Sequence, residues 1–393
     1  MATRHYSVPH FFRQVPNALL RRYFAGHDLF GDVDFERMPE AKPDALLGAW
    51  NAISDAKRMA IETQLREVFD LACVNGIHAI RDAARGQLGA ASEQYTAFLD
   101  SLAALKSHYE RAMTTFLDHH ECWRQAVQFC HADSLSYWRK RRGLPSVAAA
   151  TDKANLAALE DEIGRWFHKE ELRGRNCRVE FRRRDERDYF FAFPQDFANE
   201  VIEWSDGDLA PRPHNPAFEV VFVWSQSEGS LDLNYRGTPK AKDALQAAFA
   251  RNILALEKLP PAPKDGRIYD LSALKRREFP FVYAASSGIK SVALRAVRLS
   301  SAVRKGDRMK LEADTSRNPL ALYDVIEQAG KAFALAQWNV TQAEFVARIA
   351  ATEERPERNE SFTVSFPNSC SLSHDGIDAT LRAMLVASGI EPQ

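Results

Sequence analysis

Apolar positions change their spacing near residue 172. Up to that point they recur every three or four residues, the period of half-buried helices. Leu19, Leu20, Tyr23 and Phe24 fall on one side of a helix opened by Pro16. Ile61, Leu65, Val68, Phe69 and Ala72 do the same in a longer segment. Helices are predicted there and at 42–51, 56–74, 92–105, 107–117, 122–138 and 152–169. Asn75-Gly76 reads as a helix C-cap. Asp152 reads as an N-cap for a helix carrying Leu156, Leu159, Ile163, Trp166 and Phe167. Short connections between such helices predict bundle-like packing over 1–172.

From Asn176 the period falls to two, the signature of strands. Val179 and Phe181 alternate with Arg178, Glu180 and Arg182, and Phe218, Val220, Phe222 and Trp224 alternate likewise. The turn Ser227-Glu228-Gly229-Ser230 closes a hairpin. Four times, two extended segments lead to a proline-containing turn and then a helical period. The predicted strand-strand-helix units cover about 176–205, 218–257, 289–333 and 338–390. In the first, Phe197, Val201 and Trp204 follow Pro194 at helical spacing, and 206–216 is a proline-rich loop. A stiff linker is expected at 259–266. Gly389-Ile390 closes the last helix in the Schellman manner.

The fold class that follows is α+β: an all-helical domain over 1–172, then a mixed or antiparallel sheet domain over 173–393 with helices on one face. The polar register of its strands carries Arg178, Arg182, Asp232, Arg236, Arg308, Lys310, Ser361, Thr363 and Ser365. An uncovered face of that kind would be a wide, mildly basic surface. Aromatic side chains fall mostly on the inward registers, which favours contact with phosphates over reading of bases.

Composition adds modest constraints. The chain of 393 residues is 45% hydrophobic and 27% charged, ordinary for a globular protein with two domains. No apolar run approaches the 18 or so residues of a membrane span, and the first residues lack the apolar core of a signal peptide. Five scattered cysteines, Cys73, Cys122, Cys130, Cys177 and Cys370, point to reduced thiols and a cytoplasmic setting. Arginine outnumbers lysine 37 to 15, which reads first as a GC-rich bacterial genome.

Net charge is −1, but the cations cluster. Between Lys290 and Lys310 there are seven basic residues against Asp307 alone. Arg139, Lys140, Arg141 and Arg142 follow Tyr137-Trp138 at an expected helix end, where they either bind phosphate or complement the helix dipole. The candidate phosphate-contacting residues are therefore Arg139, Lys140, Arg141, Arg142, Arg178, Arg182, Arg304, Lys305, Arg308 and Lys310.

Candidate chemistry is thin. GxxxxGK[ST], GxGxxG, HExxH and GxSxG do not occur. Glu180-Phe181-Arg182 has a nuclease-like spacing with arginine where lysine belongs, and Asp232-Leu233-Asn234 lacks the cation. His119, His120, Cys122, Cys130 and His131 lack the close ligand pairs of structural zinc. Asn368, Ser369 and Ser371 before the last helix read as caps, and Cys370 beside them could have a lowered pKa. No cofactor or metal is implied. The expected function is a non-catalytic nucleic-acid binder for DNA or RNA. The alternatives are a protein–protein adaptor or complex subunit in bacterial defence or genome maintenance, and a nuclease-like enzyme with a non-standard site.

Overall fold

A computed structural model describes residues 4–205, 207–262, 266–277 and 279–392. Asp206 of the expected loop and Pro263, Lys264 and Asp265 of the expected linker lie outside the described residues, as do Met1, Ala2 and Thr3. The chain divides into two units, Met1–Ala132 and Asp133–Gln393.

The first unit is helical: α1 (Val8–Gln14), α2 (Asn17–Ala25), α3 (Asp44–Ala52), α4 (Asp55–Leu71), α5 (Val74–Leu88), α6 (Glu93–Ala103), α7 (His108–Asp118) and most of α8 (His120–Ser134). Its core gathers Phe11, Phe12, Phe24, Trp50, Leu65, Phe69 and Ile80. Ser107 and Glu110 form a reciprocal capping box at the start of α7. The expected C-cap at Asn75-Gly76 is instead the first turn of α5. The Cys73 thiol accepts the Gly76 N–H at 3.4 Å, and a Cβ on Gly76 would stand 2.1 Å from the Leu71 carbonyl oxygen. The glycine serves a close backbone approach between two helices, so it starts one helix where its residue type suggested the end of another.

The second unit contains β1 (Trp138–Arg141), α9 (Lys153–Glu171), β2 (Cys177–Arg184), β3 (Arg187–Pro194), β4 (Asn199–Ser205), β5 (Asp208–His214), β6 (Val220–Ser225), β7 (Ser230–Asn234) and α10 (Pro239–Asn252). It continues with β8 (Ile289–Ser301), β9 (Arg308–Glu312), α11 (Ala321–Ala332), β10 (Trp338–Ile349), β11 (Arg358–Ser365), β12 (Ser369–Cys370) and α12 (Gly376–Ala387). Ten strands form one antiparallel sheet in the order β2-β3-β6-β7-β1-β12-β11-β10-β8-β9. The class is α+β, with a helical N-terminal region and a large antiparallel sheet.

Cross-strand register fixes which side chains share a face. In the half β2-β3-β6-β7, Val179, Phe190, Phe222 and Leu233 pack against Leu159, Ile163 and Phe167 of α9 and Leu245 and Phe249 of α10. Helix α9, expected to close the helical domain, thus belongs with the sheet because its apolar stripe is buried there. In the half β11-β10-β8-β9, Val364, Phe362, Phe345, Leu294 and Val297 pack against Leu322 and Ile326 of α11 and Leu381 and Leu385 of α12. Each of these side chains contributes about 1.5–3 kcal/mol by leaving water. Each half gathers its helices on one face, but the two halves use opposite faces. Strand β1 makes the switch visible: Arg141 points to Gln246 of α10, while Trp138 meets His374, just before α12, edge to face at 4.7 Å.

The helix expected after Pro194 is absent. Phe197, Val201 and Trp204 lie in or just before β4, which pairs with β5 as a separate two-stranded ribbon. Val201, Ile202 and Trp204 are strand formers, and this preference overrides the helical spacing of three residues. The second and third expected units each form two strands and then a helix, and the fourth adds the short β12 between its second strand and its helix.

Candidate functional site

The basic cluster at 139–142 is not a helix end. Helix α8 stops at Ser134, Tyr137 turns the chain with φ +68°, and Trp138–Arg141 form a central strand. Alternation then sends its cations to different fates. Lys140 is buried and ion-pairs with Glu228 at 2.8 Å and Glu391 at 2.9 Å. Burial would raise the Glu228 carboxyl, but Lys140 and Arg187 together pull it down to about 2. Arg142 binds Glu391 and the Pro392 carbonyl. Arg141 donates to Gln246 at 3.2 Å and to the Pro260 carbonyl. These three cations are paired within the chain. Arg139 is half-buried, with the neutral Asn368 Oδ1 at 3.4 Å.

The remaining candidates separate by face. Arg182 is held by Glu180 at 3.2 Å and by the Phe181 carbonyl, and Arg178 lies exposed at the sheet edge, 3.7 Å from Glu160. Both sit on the opposite face from Arg308 and Lys310, so the single polar surface expected from the sequence is two surfaces. Arg304 and Lys305 occupy the exposed β8–β9 turn, Arg308 opens β9, and Lys310 pairs with Glu312 at 2.7 Å.

One polar face is exposed at its outer strands, β8 and β9. Register places Lys310, Arg298, Gln342, Ser365, Ser369 and Arg139 in one row across β9, β8, β10, β11, β12 and β1. Six strands make this row about 24 Å long at the usual strand spacing. The adjacent row, Leu311, Val297, Ala343, Val364, Cys370 and Trp138, points to the other face; its first five residues join the core of this half, and Trp138 is buried. Farther along, the open face is concave, with a groove of about 960 Å³ lined by Arg295, Arg348, Arg358, Glu312, Asp314 and Glu357 among others. The Lys310 ammonium holds Glu312 below its usual range, the Ser316 N–H does so for Asp314, and Lys290 and Arg348 do so for Glu357. All three acids are suited to remain charged rather than to shuttle protons near neutrality. Arg298, Gln342 and Arg295 were missed in the sequence. Their signal was the two-residue period of β8 and β10, which fixes a face only once strand neighbours are known.

Asp232 is not a metal-binding acid. It is 1% exposed, with His374 Nε2 at 3.1 Å and Arg382 Nη1 at 3.8 Å. Arg382 also donates to the Ser373 and Leu372 carbonyls, each at 2.8 Å. Burial first, and then the Arg382 charge, pushes the His374 imidazole from 6.5 down to about 3. His374 is therefore neutral in the folded protein and charged when unfolded below about pH 6.5. Its contribution to stability is complete above pH 6.5 and is lost as pH falls toward 3, at no more than about 1.4 kcal/mol per pH unit. Thermal unfolding followed between pH 7.5 and 5 should show a steeper acid loss for the native chain than for His374→Gln; equal slopes would contradict the assignment.

Cys370 lies in β12, and burial raises its thiol, opposite to the lowered value expected from a helix N-terminus. Asp375, not Asn368 or Ser369, occupies the N-cap position of α12. Cys122 is buried and donates to Gln87 at 2.8 Å. Among the described residues no group of three or more His, Cys, Asp or Glu side chains is placed to hold a metal ion, and no helix is long and apolar enough to cross a membrane. No family model matches the chain, and no curated protein matches it.

Proposed function

We propose that the chain binds nucleic acid through phosphate contacts on the open sheet face. The observation that carries this reading is the polar row that is exposed at Lys310 and Arg298, with Arg304, Lys305 and Arg308 at its outer end, and that runs inward to the half-buried Arg139. Phe345 and Phe362, the stacked aromatic pair of these strands, are buried on the opposite face, so they offer no platform for bases. Such a surface would contact backbone phosphates without reading sequence. Fluorescence anisotropy with labelled single- and double-stranded DNA and RNA tests it. Binding that weakens between about 50 and 200 mM salt is expected. Absence of binding to all four at the lower salt would refute it.

A second reading, a subunit of a protein assembly, is favoured by the β4–β5 ribbon. Ile202 and Trp204 are 71% and 73% exposed, and Leu209 and Pro211 stand opposite them on the same face. A two-stranded ribbon with a bare apolar face is marginal in water, and such patches commonly mark contact surfaces. The triple variant Ile202→Ser, Trp204→Ser, Leu209→Ser should keep its melting temperature within about 2 °C, because exposed positions contribute little. In a pull-down from the native host it should lose a stoichiometric partner that the native chain retains. Equal recovery by both chains would contradict this reading.

A further inference from the structure

Helix α10 faces strand β1 through Lys242 and Gln246, one turn apart on the helix. Opposite them stand Arg139 and Arg141, two residues apart and therefore on the same face of the sheet. One of these crossings is conventional: Gln246 accepts a hydrogen bond from Arg141 at 3.2 Å. The other sets a cation against a cation. Lys242 is half-buried, and its ammonium is destabilised first by burial and then by the Arg139 charge. Asp243, the carboxylate of the adjoining pocket, acts on Arg141.

The helix end increases the imbalance. Thr238 caps α10 through the Ala241 N–H at 3.2 Å, Pro239 is the first helical residue, and the first turn contains no acid. Lysines at a helix N-terminus oppose the positive end of the dipole. Lys240 is neutralised by Glu170 at 2.5 Å. Lys242 instead borders a cavity of about 510 Å³ together with Arg139, Arg236, Tyr137 and Ser369. Three cations thus converge on one cavity beside a helix N-terminus, and no carboxylate lines it among the described residues.

We propose that this cavity is a binding site for a terminal phosphate monoester. A phosphodiester carries one negative charge, whereas a monoester carries about −1.5 to −2 near neutral pH and three acceptor oxygens, a better match to three cations. Arginine supplies paired donors to such oxygens, and lysine a compact charge. Ser369 belongs both to this cavity and to the polar row of the open face. A strand lying along that face would present its phosphorylated end here. Only the identity of the phosphate's carrier rests on the nucleic-acid reading; the anion site does not.

The test has two arms. In the first, thermal unfolding is followed with and without inorganic phosphate at constant ionic strength. About 10 mM phosphate should raise the melting temperature of the native chain by roughly 2–4 °C, as for a ligand near millimolar affinity. Lys242→Gln should melt higher than the native chain without phosphate, because the like-charge contact is gone, and should lose the phosphate-induced rise. Arg236→Gln should lose the rise without that gain, and Arg178→Gln, on the other face, should keep it. In the second arm, otherwise identical oligonucleotides with a 5′-phosphate, a 3′-phosphate or neither are compared, and one phosphorylated end should bind at least tenfold tighter than hydroxyl ends. Stabilisation by phosphate without any oligonucleotide binding would retain the site and refute the nucleic-acid reading. Oligonucleotide binding that ignores end phosphates, with no effect of inorganic phosphate or with one that Lys242→Gln retains, would overturn the site and leave that reading intact.

Discussion

Asp232→Ala is expected to lower the unfolding free energy by about 3–5 kcal/mol, the range seen when one partner of a buried ion pair is removed. Asp232 lies within 3.1 Å of His374 and 3.8 Å of Arg382, and all three side chains are almost wholly enclosed. Arg382 is held charged against burial, with Asp232 the largest favourable influence. Alanine would remove that carboxylate and leave the guanidinium its hydrogen bonds to the Ser373 and Leu372 carbonyls. A typical domain has roughly 5–15 kcal/mol in total, so the loss is a large share. Asp232→Asn keeps the shape and should cost less. Urea unfolding followed by tryptophan fluorescence measures both. A loss below about 1 kcal/mol for Asp232→Ala would mean that the cluster does not hold β7 to the segment before α12.

The second large effect concerns binding. Replacing Arg298, Arg304, Lys305 and Arg308 together by glutamine should weaken nucleic-acid binding roughly 10³–10⁴-fold at about 50 mM salt. Each phosphate contact to a single strand contributes a salt slope of about 0.7, which amounts to nearly a decade of affinity at that concentration. The slope of log affinity against log salt should fall by about three. All four positions are exposed in or beside the β8–β9 turn, so stability should change little. Arg178 and Arg182 form the matched control, because they lie on the opposite face and face Glu160 and Glu180.

Periodicity made much of the architecture legible. The switch from a spacing of three and four to a spacing of two separated helices from strands, and the α+β class follows from it. Helices α2, α3, α4, α6, α7 and α9 fall close to the expected ranges because each carries an apolar stripe with Ser, Asp or Pro at its start. What remained hidden depended on neighbours distant in sequence. Strand β1 carries three cations in four residues and has no apolar alternation to announce it; it pairs with β7 and β12, and Lys140 meets Glu228 and Glu391 there. The strand β4 has an apolar spacing that suits a helix, and its pairing with the proline-rich β5 decides the matter.

The site was legible only in part. A charge run along a sequence does not say which cations meet acids from other strands. Lys140, Arg141 and Arg142 are paired with Glu228, Gln246 and Glu391, residues at least 88 positions away. Arg304 and Lys305 are exposed in the β8–β9 turn, and Arg308 is exposed at the start of β9. Arg298 lay within the same basic run, but its place in a row with Arg139 required the strand order.

The central claim is that the open face, and not the arginine content at large, contacts phosphate. The most direct measurement is anisotropy of a labelled single strand at about 50 and 200 mM salt. It compares the native chain, the Arg298/Arg304/Lys305/Arg308→Gln variant and the Arg178/Arg182→Gln control. Loss of affinity and of salt slope in the first variant, with both retained in the control, is the predicted result. Equal effects of the two variants, or no binding by the native chain, would contradict it.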